Sequence, residues 1–143
     1  MYRVGRRFEY RVIYYLKKNG IKAKRIPLSG KRSEFYPNAD ILIEINDKKI
    51  LGQLKYSRKK YVIFTKKELE QLKNNQIYFL CFSFFRQKPK FIIKSEEKNY
   101  VEKNSENLVI SKDNIEKVIK INDLVLKILE AEEFINLLKQ NIK

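Results

Sequence analysis

The 143-residue chain has no histidine and no tryptophan, one cysteine, four glycines and three prolines. The missing histidine excludes His-based general bases and His-metal nuclease motifs, and one cysteine without histidine cannot make a structural zinc ligand set. It also speaks against a tyrosine recombinase, despite nine tyrosines, because such enzymes pair the attacking phenol with a clustered Arg and His set. Cys81 has no second cysteine to bond, and "YFLCFSFF" makes it a small buried hydrophobe. No apolar run approaches the roughly 20 residues of a membrane span, and "MYRVGRRFEYR" lacks the apolar region of a signal peptide. The expectation is a single cytoplasmic domain over residues 1–143. Its catalysis, if any, must use carboxylates, amides, lysines or hydroxyls.

What the chain has in excess is positive charge. Thirty-two Lys and Arg against seventeen Asp and Glu leave a net charge of +15. The excess is uneven: residues 1–60 hold 17 basic and 5 acidic side chains, the remainder 15 and 12. A uniformly Lys-rich composition does not explain that asymmetry. A field of this sign, without a lipidation motif or a Lys-rich surface helix, points to nucleic acid rather than membrane.

Apolar residues Val4, Phe8, Val12, Ile13, Tyr15 and Leu16 recur at three- and four-residue spacing, predicting a helix over 3–19 that Gly20 stops. A strand "IKAKRIP" and a polar loop "LSGKRSEFYPN" follow. Residues 39–55, "ADILIEINDKKILGQLK", read as two strands folded around Asn46-Asp47, leading into a basic connector, "YSRKKY". Thr65 and Glu68 form a capping box for a helix to about Asn74. "QIYFLCFSFF" is a buried strand with "PKFIIK" as hairpin partner, and 95–107 an exposed polar excursion. A helix is expected over 122–141, with Asn122 as cap and Leu124, Ile128, Ala131, Ile135 and Leu138 as its apolar stripe. This order implies a mixed α/β domain, one sheet flanked by helices.

A two-residue loop at 46–47 makes paired residue numbers sum to 93, so Asp40 faces Gln53 with Cβ atoms about 5 Å apart. Lys55 projects from the same face, while Ala39, Ile41, Ile43 and Ile45 oppose Ile50, Gly52 and Leu54 on an apolar one. Glu9 falls about 20° from Leu16 around the first helix, inside its apolar stripe. A carboxylate there must be paired, neutralised or bound to something, and taken alone an ion pair with an arginine is the simpler reading. Together the residue types suit phosphodiester hydrolysis. Carboxylates with amide or carbonyl oxygens hold Mg²⁺, and a nearby lysine orients the attacking water and offsets charge growing on the phosphate.

An acid on helix one, an Asp at a strand start and a (D/E)-x-K or Q-x-K tripeptide on the next strand resemble the PD-(D/E)XK nuclease signature, here Glu9, Asp40 and "QLK" at 53–55. The opening "YRVGRRFEYRVIYYLKKNGIKAKRIPLSG" is similar to archaeal Holliday junction resolvases, a resemblance that covers about the first 110 residues. It implies a restriction-endonuclease-like mixed sheet flanked by helices, with a catalytic core over 1–110 and an additional C-terminal helix. It implies Mg²⁺, or Mn²⁺, held by Glu9, Asp40, Gln53 and the Leu54 carbonyl. Lys55 would be the catalytic lysine, and Ser29 would sit in a loop near the scissile phosphate. Branched DNA would be the substrate and a C2 homodimer the cutting unit, since a two-fold junction needs two active sites. Arg3, Arg6, Arg7, Arg11, Lys31, Arg32, Arg58, Lys59 and Lys60 would track DNA. A homing- or restriction-type endonuclease of the same fold, or a catalytically impaired DNA-binding module, are the alternatives.

Gln53 stands where resolvases usually carry Glu. An amide oxygen ligates Mg²⁺ but adds no charge, so the site should demand more metal. Gln53→Glu should lower the Mg²⁺ concentration for half-maximal junction cleavage; an unchanged requirement in a metal titration counts against direct ligation by Gln53.

Overall fold

The computed structural model describes residues 2–26, 39–74 and 77–140, with side chains from residue 6 onward. Helix α1 spans Tyr2–Lys18. Gly20, at φ 84°, ends it: its N–H donates to the Lys17 carbonyl, and the Ile21 N–H donates to Leu16 at 2.9 Å. That is a Schellman closure, whose left-handed residue glycine adopts without a Cβ penalty. Strand β1 (Lys22–Arg25) then pairs antiparallel with β2 (Ile41–Ile45), and β2 with β3 (Lys48–Ser57). Asn46 and Asp47 both have positive φ, 49° and 66°, the pair of conformations a type I′ hairpin requires. The register Ile41↔Gly52 through Ile45↔Lys48 is the expected one.

After β4 (Tyr61–Phe64) and α2 (Lys66–Asn74), β5 (Tyr78–Phe84) returns parallel to β3. Strands β6 (Lys90–Lys94), β7 (Val101–Lys103), β8 (Leu108–Ser111), β9 (Val118–Ile121) and β10 (Leu124–Glu130) precede α3 (Ala131–Gln140). The main sheet runs β1-β2-β3-β5-β6-β10-β9-β7, and β4 and β8 form a separate pair. One face packs α1 and α3 through Phe8, Val12, Leu16, Phe134 and Leu138 against Ile41, Ile43, Phe79 and Phe91. The other packs α2 and the β4–β8 pair, through Leu69, Leu72, Phe64 and Ile110, against Leu42, Leu80 and Phe82. Each such aliphatic or aromatic side chain, when fully buried, contributes about 1.5–3 kcal/mol.

Several expectations need correction. The helix expected over 122–141 is strand to Glu130 and helix from Ala131. Asn122 and Asp123, at φ 51° and 64°, make a second type I′ turn between β9 and β10 rather than a cap. "YSRKKY" is strand at Tyr56, Ser57 and Tyr61, with a bend over 58–60 between β3 and β4. The excursion at 95–107 includes β7, on the edge of the main sheet. Flanking is by helices on one face, and by a helix plus a small sheet on the other. Ala39 joins the α2-side core rather than the α1 side, because alternation breaks at Asp40.

Gly52 explains the sequence "ILGQLK". A Cβ there would collide with the Phe79 ring on the neighbouring strand. Phe79 in turn packs on Phe134 and Phe91, at ring-centroid distances of 5.0 and 5.8 Å. Gly52 thus lets an aromatic cluster press on the back of β3. Gly52→Ala should destabilise the fold by about 1–3 kcal/mol through overpacking, measured as a lowered urea midpoint.

Candidate active site

β3 has ten residues and β2 five, so β3 continues past the point where its antiparallel neighbour stops. Beyond Gly52 its other side remains paired, Gln53↔Leu80 through Ser57↔Phe84 on β5. The unmatched side is where the polar residues collect. Gly52 accepts from Asp40 N–H at 2.8 Å although its register partner is Ile41, so Asp40 and Ile41 both oppose Gly52. This is a β-bulge, a device that bends a strand and re-aims a side chain. It corrects the simple expectation that Asp40 sits squarely across from Gln53. Instead the Asp40 carboxylate accepts the Leu54 N–H at 2.9 Å through Oδ2, replacing the strand that ended. The N–H and C=O of one strand residue point to the same side, so the Leu54 carbonyl faces that gap as well.

Gln53 and Lys55 project to the α2 side. The Gln53 amide donates through Nε2 to Glu68 Oε2 at 2.8 Å, and Lys55 Nζ lies 2.8 Å from Glu68 Oε1. Lys55 also sits 5.4 Å from the centroid of the Phe64 ring. Gln53 Oε1 is buried and, among the described residues, has no hydrogen-bond partner. A buried acceptor left in that state costs about 1–3 kcal/mol. Tyr78, at the start of β5, is held protonated by burial and then by Asp40 and Glu68, which raise its pKa well above the ordinary phenol value. The two carboxylates therefore act on the same phenol.

Glu68 is the residue that sequence reasoning placed only as a helix cap. It is that too: Thr65 N–H donates to its Oε1 at 2.8 Å, and Thr65 Oγ1 accepts the Glu68 N–H at 3.3 Å. The signal that could have found it is the βαβ order. A helix crossing between parallel β3 and β5 lies over one face of the sheet, and Gln53 and Lys55 are the polar residues of β3 on that face.

Glu9 does not join this group directly. Its Oε1 accepts from Arg25 Nε at 2.8 Å, with side chains 14% and 19% exposed, which is the arginine pairing its position in the apolar stripe suggested. Arg25 pairs with Ile41, and Ile26 N–H donates to the Asp40 carbonyl at 2.9 Å. The ion pair is thereby tied to the same end of β2. Among the described residues no three His, Cys, Asp or Glu side chains are grouped so as to hold a metal. A cation here would instead take a mixed oxygen set: the Asp40 carboxylate, the orphaned Gln53 Oε1 and the Leu54 carbonyl. Hard oxygen donors of this kind fit Mg²⁺ or Mn²⁺.

Arg7, Arg11 and Arg58 line a cavity of about 320 Å³ with Phe8 and Tyr56. Arg11 lies 5.3 and 5.7 Å from the Phe8 and Tyr56 ring centroids. Arg6, Lys59 and Lys60 are exposed. Arg3 is described as backbone alone, while Ser29, Lys31 and Arg32 lie outside the described residues.

A mixed sheet carrying Asp and Q-x-K on adjacent strands, with an acid on the preceding helix, defines a PD-(D/E)XK nuclease fold. The family model for archaeal Holliday junction resolvases (Hjc) matches residues 1–141. The solved structure of Hjc from Archaeoglobus fulgidus, a Holliday junction resolvase from an archaeal hyperthermophile, superposes with a TM-score of 0.54. The alignment covers 76% of this chain and 89% of that one at 19% identity. No curated protein matches the sequence. The chain belongs to the archaeal Holliday junction resolvase family, and its function is structure-selective endonuclease cleavage of DNA junctions.

Proposed function

We propose that this resolvase cuts with a divalent cation, Mg²⁺ with Mn²⁺ as substitute, held by Asp40, the Gln53 amide oxygen and the Leu54 carbonyl. Glu9, whose carboxylate is engaged by Arg25 near the β2 end, is proposed as the second carboxylate, joining the set when that ion pair opens. The observation that carries this reading is the buried Gln53 Oε1, without a hydrogen-bond partner among the described residues, on the strand that outruns β2. When bound, the cation would act as a Lewis acid toward the phosphate. The chain's own residues do the rest. Lys55, whose side chain is 28% exposed, is the catalytic lysine: it orients the attacking water and offsets charge on the phosphate. Asp40 anchors the Leu54 N–H and so fixes the Leu54 carbonyl. Ser29 acts in the loop near the scissile phosphate.

The arginine-lined cavity and the cations Arg3, Arg6, Lys31, Arg32, Lys59 and Lys60 are proposed to track the phosphate backbone. Each phosphate neutralised steepens the log-log salt dependence of binding by about 0.9. A homodimer would place two such sites on a two-fold junction. Strand β5 is buried throughout, and the apolar face of α3 packs on the sheet, so neither is available for it. Tyr61, Ile63 and Val109, exposed on the β4–β8 pair, are the favoured contact surface.

Lys55→Ala should bind a synthetic four-way junction like the wild type but lose at least about 100-fold in single-turnover incision, within the range general acid–base and electrostatic contributions span. Asp40→Asn should lose incision together with Mn²⁺ binding. Unchanged incision in Lys55→Ala removes the lysine from the chemistry. Sedimentation should give twice the chain mass, and Ile63→Asp with Val109→Asp should return it to one.

A further inference from the structure

A glutamine in a position that needs a charged ligand poses two physical problems. Its amide can rotate so that either oxygen or nitrogen faces the cation, and it brings no negative charge to the site. Glu68 answers both. Its carboxylate accepts from Gln53 Nε2 at 2.8 Å, which turns the amide so that Oε1 is left over, buried and without a partner among the described residues. The opposite rotamer would set oxygen against carboxylate and is electrostatically excluded. The negative charge absent from residue 53 stands directly behind its amide, where it polarises the carbonyl oxygen. The same carboxylate holds Lys55 Nζ at 2.8 Å, so one group orients two neighbours on β3.

The support beneath Glu68 is rigid. Thr65 and Glu68 cap each other, and the Lys66 N–H donates to Asn107 Oδ1 at 3.0 Å. Leu69 and Leu72 anchor the helix in the core. A carboxylate fixed in this way behaves as the outer hydrogen-bond partners of metal ligands do, setting the orientation and donor strength of the group in front.

We propose that Glu68 is a positioning residue of the nuclease site, which aims the Gln53 amide oxygen at the cation, supplies the charge that glutamine lacks and holds the Lys55 ammonium in place. The inference rests on the cation site proposed above.

The test is Mn²⁺ binding by the full chain without DNA, followed by isothermal titration and by the loss of the free-Mn²⁺ electron paramagnetic resonance signal. Glutamine at the third helical position still completes a capping box, so Glu68→Gln should keep its thermal midpoint close to wild type. Its Mn²⁺ affinity should fall by about 10-fold or more, as outer-partner substitutions do. The double variant Gln53→Glu with Glu68→Gln exchanges the charged and amide members of the pair and should return affinity to within about threefold of wild type. Wild-type affinity in Glu68→Gln, or no recovery in the double variant, overturns the proposal. Should Glu68→Gln fold poorly, Glu68→Asp, whose shorter side chain retracts the carboxylate, carries the same comparison and should likewise weaken Mn²⁺ binding. Asp40→Asn separates the two readings: if it leaves Mn²⁺ binding intact the site itself is wrong and this inference falls with it, whereas loss there with none in Glu68→Gln removes Glu68 alone.

Discussion

The site depends on one mismatch: β3 is ten residues long and its neighbour β2 only five. A strand whose partner stops early presents backbone N–H and C=O groups that must find other partners. Here the Leu54 N–H finds the Asp40 carboxylate, and the Leu54 carbonyl is left facing the same gap. The bulge at Asp40 makes this possible, because it turns a side chain that strict alternation would have sent to a face back toward β3. A hairpin of equal strands would have closed the gap with ladder hydrogen bonds. The type I′ turn at Asn46-Asp47 sets where β2 starts relative to β3. The turn chemistry thus determines the position of the gap, six residues away in sequence.

From the other side, β3 is held by apolar contacts that tolerate little movement. Gly52 lies under the Phe79 ring, and Phe79 belongs to a cluster with Phe91 and Phe134, the last two stacked at 4.1 Å. Close packing of this kind transmits position, since interiors are too dense to absorb a shift of even a methylene. The polar side chains Gln53 and Lys55 are set on one face by aromatic packing on the other. Function and core are thus joined through a single strand, which turns Gln53 and Lys55 to one face and Ile50, Gly52 and Leu54 to the other.

Much of this was legible in the chain. Alternation over 41–45 and the Asn-Asp turn gave the hairpin and its register; the spacing of Phe8, Val12 and Leu16 gave α1; Thr65 and Glu68 gave the start of α2. The failure at 122–141 has a physical reason. Leu124, Ile128 and Ala131 sit three and four apart, and positions four apart share a face in a strand as well as in a helix, so the stripe did not discriminate. Leu126 and the second Asn-Asp turn were the deciding features. Nothing local announced the bulge at Asp40, which arises from pairing with β1 and β3 together, and the contact of Glu68 with β3 is tertiary. A capping box specifies where a helix begins, but the strand beneath it is chosen by the parallel return of β5.

The charge distribution follows the same division. Among the described residues, the cations nearest the gap are committed: Lys55 to Glu68 and Arg25 to Glu9. Arg7, Arg11 and Arg58 instead line an open cavity, and Arg58 lies three residues beyond Lys55, roughly 10 Å along an extended strand. Each of the two committed cations stands against a carboxylate, so neither presents an uncompensated ammonium or guanidinium to the gap. Among the described residues, part of the excess of the first sixty residues lies on α1 and just past the end of β3. A positive field there suits a polyanion, and it stands apart from the Asp40 and Glu68 carboxylates.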